Sequence, residues 1–123
     1  MSTAIGAFNN QLIAFVEDLT ETYPEEKDLR VALDALKGIK KMNPKLLHSG
    51  FMEYVYPDFH APVMCEDEET LMLKAKEALN GPHKDYAFAY VIFDRHWTNM
   101  SMTNKKTIWN YCKVLCILAE RAN

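Results

Sequence analysis

The sequence predicts an all-α protein: a single domain, residues 1–123, built as an irregular bundle of five to six helices. Three observations predict it. Apolar residues recur at three- and four-residue steps through most of the chain. Proline and glycine fall between those periodic segments and divide them. The one stretch that competes as a buried strand, Tyr86 to Trp97, has no second strand to pair with. Composition agrees. With 123 residues, 49% hydrophobic and 25% charged, the chain is an ordinary globular domain, large enough to bury a core without disulfides or a structural metal.

The first helix is expected from about Ile5 to Thr20, where Phe8, Leu12, Phe15, Val16 and Leu19 share one face. Pro24 followed by Glu25 and Glu26 reads as the start of the second, because proline and acids favour a first turn. That helix carries Leu29, Val31, Leu33, Leu36 and Ile39 and ends at Lys40-Lys41, cations suited to a C-terminal dipole. Asn43-Pro44 is an N-cap with proline at the first helical position. The third helix then presents Leu46, Leu47, Phe51, Tyr54 and Val55, and Pro57 closes it.

With two prolines and no clean period, the first ten residues of Tyr56–Glu69 read as a loop. Glu66 to Glu69 open a fourth helix, and Asn80-Gly81-Pro82 stops it. Tyr86 to Trp97 is the fifth. Ser101 caps the last, whose Ile108, Trp109, Cys112, Leu115, Cys116 and Ala119 make a core face. The first, second and last helices are expected to form the core. Lys105 and Lys106 stand near the unfavourable positive end of the last helix. Either they are simply solvated, or they face the acidic run Glu66–Glu69.

The chemistry that is missing narrows the function. The sequence contains no phosphate-binding glycine loop, no G-x-S-x-G, no HExxH and no Cys-x-x-Cys. No catalytic residue and no cofactor are expected. His60, Cys65, Cys112 and Cys116 have the right ligand types for zinc, but their spacing carries little signature. His60 and Cys65 are five residues apart in irregular chain, which fixes no nucleophile geometry. All three cysteines are expected as reduced thiols. A formal net charge of −3 argues against a nucleic-acid backbone as main partner. The one basic cluster, Lys37, Lys40, Lys41 and Lys45, is a candidate phosphate contact. No signal peptide or membrane span is expected, so the protein is expected not to be secreted. Met52–Met64 is the most partner-like stretch. Its Tyr54, Tyr56, Phe59 and Met64 are candidate contact residues, since aromatics and methionine are enriched at interfaces. The alternative is that this stretch folds back over the core.

The segments Phe8–Leu29 and Trp97–Leu115, with the Asn43-Pro44-Lys45 break between them, carry a pattern of caps, breaks and core positions: Phe8, Asn9, Leu12, Phe15, Asp18, Leu19, Pro24, Glu25, Asn43, Pro44, Lys45, Asn99, Met100, Ser101, Lys105, Ile108, Trp109 and Tyr111. In this the chain resembles small helical proteins of large DNA viruses of algae and protists (phycodnaviruses and mimivirus relatives). The resemblance implies a viral origin and no catalytic residue. Together with the missing chemistry, it suggests a non-enzymatic protein–protein interaction module, such as a minor capsid component in the virion. Its partners would be other viral capsid or assembly proteins, or a host protein. The second reading is a regulator in infected-cell cytoplasm or nucleus, binding a transcription or host partner with weak nucleic-acid contact.

Overall fold

The structure, a computed structural model, describes residues 3–79 and 88–123. Seven α-helices and no strand appear among them: α1 Ala4–Thr22, α2 Lys27–Met42, α3 Pro44–Tyr54, α4 Tyr56–Met64, α5 Glu68–Leu79, α6 Phe88–Trp97 and α7 Met102–Ala122. The Asn80-Gly81-Pro82 stop and the Tyr86-Ala87 beginning of the fifth expected helix lie outside the described residues.

Most starts follow local chemistry. Thr3 Oγ1 accepts from the Gly6 amide at 2.9 Å and caps α1. Asn43 accepts from Lys45, with Pro44 in the first turn of α3. Ser101 accepts from Asn104 at 3.1 Å and caps α7, as expected. The second helix begins later than its sequence suggests. Pro24 sits in a turn, and Glu26 holds the N-cap position without a side-chain cap bond.

The sixth-versus-seventh helix difference arises at Tyr56–Met64, which is helical and not a loop. Pro57 falls in the first turn of α4, where its missing N–H costs nothing, so it starts a helix rather than closing one. Pro62 removes one internal bond and lies on the buried side of the helix with Phe59 and Val63. The helix then ends in a paired motif. Asp67 N–H donates to Pro62 at 2.8 Å and Glu66 N–H to Val63 at 3.1 Å. Glu66 occupies the left-handed position, φ 52°, that glycine usually fills there.

The core has two clusters, and α7 contributes to both. Phe59 and Val63 of α4, Trp97 of α6, and Trp109 and Cys116 of α7 form the first. Trp97 and Trp109 meet edge to face at 5.4 Å. Phe8 of α1, Leu47 of α3, and Leu115 and Ala119 of α7 form the second. Two buried polar groups tie it together. Asn9 Nδ2 donates to the Pro44 carbonyl at 2.8 Å, and His48 Nε2 pairs with the Ala119 carbonyl at 2.8 Å. The expected core of first, second and last helices is too narrow, since α3, α4 and α6 also contribute to it. The helix α2 packs on α1 and α3, buries Leu29 and Leu33, and sets Leu36 and Ile39 against the second cluster. Val31, one of the apolar residues that the second helix carries, is 66% exposed.

Two substitutions should move stability in opposite directions. Trp109→Ala removes an anchor of the first cluster and should cost about 3–5 kcal/mol. Gly38→Ala should gain about 0.5–1 kcal/mol, because Gly38 lies inside α2 and an added Cβ would meet nothing within 4 Å. Denaturant unfolding at low protein concentration reads both.

Candidate functional site

Many of the described polar side chains gather into three clusters, each joining helices distant in sequence, and Tyr111 of α7 separately donates to Asp18 of α1. The first lies where α4 meets α5. Its three consecutive acids face three ways. Glu66 binds Lys106 at 3.0 Å and also Lys113. Asp67 caps α5, accepting from the Thr70 amide at 3.1 Å and hydroxyl at 2.7 Å. Glu68 accepts from Lys105 at 3.2 Å and from the indole N–H of the fully buried Trp97. Lys105 also lies 5.0 Å over the Trp97 ring. Lys105 and Lys106 therefore face the acidic run. Bonds from Lys113 and then Lys106 hold the Glu66 carboxyl below the usual range, and Thr70 does the same for Asp67.

The second cluster fastens the α1–α2 turn to α6. Glu26 is buried. His96 Nε2 lies 2.7 Å from its Oε1, and Arg95 Nη1 reaches both oxygens at 2.6 and 2.9 Å. Tyr23 stacks on His96 at 4.1 Å. His96, then Arg95, hold the Glu26 carboxyl low. Among the described residues, Glu25, Glu26 and His96 are the one group of three potential ligands close enough to share a metal, within 4.8 Å. A divalent ion there would have to displace the Arg95 guanidinium and face its charge. A carboxylate holding three charge-assisted bonds is also a poor general base. The geometry is that of an ion-paired clamp.

The third cluster is Tyr56, His60 and Glu120. The Tyr56 hydroxyl donates to Glu120, His60 Nε2 lies 3.0 Å from the same carboxylate, and the two rings stack at 4.6 Å. The bond to Glu120 pushes the Tyr56 hydroxyl up to about 12.

The residues predicted as contacts divide. Phe59 is a core residue of the first cluster, and Tyr56 is half-buried and bonded to α7. This part of Met52–Met64 folds over the core. Tyr54 and Met64 are exposed. The four lysines also divide. Lys37 pairs with Glu17 at 3.6 Å and Lys40 donates to Asn10 at 2.7 Å, both on α1, while Lys41 and Lys45 are exposed. The conceivable zinc set does not assemble. Cys65 is exposed, Cys116 is buried, and His60 is engaged by Glu120. Burial pushes the Cys112 thiol up to about 12 and that of Cys116 to about 11, which leaves both inert at neutral pH. No helix among the described residues is long and apolar enough to cross a membrane.

A further feature was missed because its residues are individually ordinary. Val31, Ala35, Gly38 and Met42 are all exposed on the outward face of α2, at steps of four, three and four residues. Val31 and Met42, at 66% and 88%, are among the most exposed large apolar side chains. Four-three spacing is the one signal that could have found it.

No protein family, no curated protein and no solved structure matches the chain. That result overturns the viral, virion and minor-capsid assignment drawn from the resemblance.

The first two clusters set the acid response. The carboxyls of Glu26 and Glu66 ordinarily titrate near 4.5, and both are lower in the folded chain. Their contribution is fully present above that value and is lost as pH falls through the depressed folded values. The Glu26→Gln/Glu66→Gln variant should be less stable at neutral pH. It should also lose stability less steeply than the wild type between about pH 5 and 3. Denaturant midpoints across that range check both.

Proposed function

We propose that the chain is a non-enzymatic protein–protein interaction module whose working surface is the outward face of α2. Its occupant is an α-helix with an apolar seam. The exposed row Val31, Ala35, Gly38 and Met42 carries this reading. Four-three spacing keeps one narrow stripe facing a partner helix, and the two small central residues let the backbones come close. Gly38 supports it from another side. A mid-helix glycine lowers helix stability, and no packing among the described residues requires one there.

The polar clusters also support a binding role. Their acids and bases are taken up in joining helices. Phosphate contact has less support, since Lys37 and Lys40 turn toward α1.

The test is quantitative affinity purification from cells that express the protein, comparing wild type with Ala35→Glu/Gly38→Glu. Proteins enriched with the wild type should fall to background with the variant. One of them, purified, should bind the variant more than about tenfold more weakly. Identical enrichment by both chains removes the α2 face from the function.

A further inference from the structure

The outward face of α2 is its own complement. Turn a second copy about a two-fold axis that crosses the stripe midway, so that the two α2 helices run antiparallel. Val31 then lies against Met42 of the second copy, and Ala35 against Gly38. Large side chains meet at the ends and small ones at the centre, which keeps the helix axes close where they cross. The flanks match as well. Asp34 and Lys41 stand on the same side of the stripe, both exposed and with no ion pair or hydrogen bond among the described residues. The two-fold rotation keeps that side together, so Asp34 of each copy comes opposite Lys41 of the other. One operation yields two symmetric ion pairs, as an isologous interface requires. A parallel pair fails this test, because its flanking contacts set Asp34 against Ile39.

We infer that the occupant of this face is α2 of a second copy, paired antiparallel, so that the protein forms a two-fold symmetric dimer. The inference rests on the reading of the α2 face as the working surface and names its partner. Two three-turn helix faces cover less than the roughly 1,600 Å² of a standard interface. The dimer is therefore weak, and its assembly depends visibly on concentration.

Sedimentation of the purified full chain over a wide concentration range should show a monomer–dimer equilibrium. Ala35→Glu/Gly38→Glu should abolish it with unchanged helix content, since both positions are exposed in the single chain. Asp34→Lys alone should weaken the dimer about three- to tenfold, and adding Lys41→Asp should restore it. Zero-length carbodiimide coupling on a mixture of light and heavy isotope-labelled chains should join Asp34 of one to Lys41 of the other. Within one helix the two are about 10 Å apart along the axis, too far for that bond. Three results overturn the inference: a monomer at every concentration, a dimer that survives the two glutamates, or a dimer that gives no Asp34–Lys41 product. A monomeric chain that still loses its cellular partners on Ala35→Glu/Gly38→Glu leaves the module reading in place with a different occupant. A monomeric chain whose partners ignore those substitutions removes both.

Discussion

Helix α7 has to bury two faces at once, and the rest of the bundle is arranged around that requirement. Trp109 and Cys116 point into one cluster, Leu115 and Ala119 into the other. A helix buried along so much of its girth needs neighbours on both flanks. The helices α1 and α3 cover one face, and α4 with α6 cover the other. Truncating a residue on either face exposes apolar surface on a shared element, so the two clusters are mechanically one core. The polar ties of α7 follow the same geometry. His48 reaches the Ala119 carbonyl, Tyr56 and His60 reach Glu120, and Glu66 and Glu68 reach Lys105, Lys106 and Lys113.

The polar clusters solve a problem that small helical chains share. Short helices offer little individual stability and depend on tertiary contacts. Hydrophobic burial gathers them without specifying which end meets which, and charged groups at fixed positions do specify it. Glu26 joins the first turn of the chain to α6, about seventy residues on. Glu66 accepts a left-handed backbone where glycine would be relaxed, and in that position its carboxylate meets Lys106 and Lys113. Surface ion pairs contribute little singly, but these are shared: two cations on Glu66, an arginine and a histidine on Glu26. Their value lies in register as much as in energy.

Much of the fold was legible because it is written in local chemistry. Ser101 and the Asn43-Pro44 pair are signals read within a few residues, and both stand as starts. The period that marks Trp109, Leu115, Cys116 and Ala119 is equally local. Reading failed where the outcome depended on the third dimension. Proline has two meanings, break or first turn, and Pro57 took the second because a buried face at Phe59, Pro62 and Val63 repaid a helix there. The buried Glu26 gave no sign, since its partners lie far along the chain. Phe59 looked like a contact residue because an aromatic beside two prolines is ambiguous until the core is seen. The surroundings of Lys105 and Lys106 are ambiguous in sequence for the same reason, since the acidic run they face is about forty residues away.

Val31 failed differently, and the failure is informative. Helix α2 has two apolar sides. Leu29 and Leu33 face inward, while Val31, Ala35, Gly38 and Met42 make an outer stripe. In the sequence the two sides merge into one run of apolar residues, Val31 among them. Once the helix is docked on α1 and α3, only the inner side has a partner among the described residues. An isolated exposed valine or methionine means little, since folded proteins expose much apolar surface. Four such positions in register along one helix, with the small residues at the centre and Asp34 and Lys41 on a common flank, are a different observation. The inner side of α2 serves this chain's fold. The outer side has the spacing, the close-approach residues and the charge pattern of a second helix contact, and no element among the described residues requires any of the three.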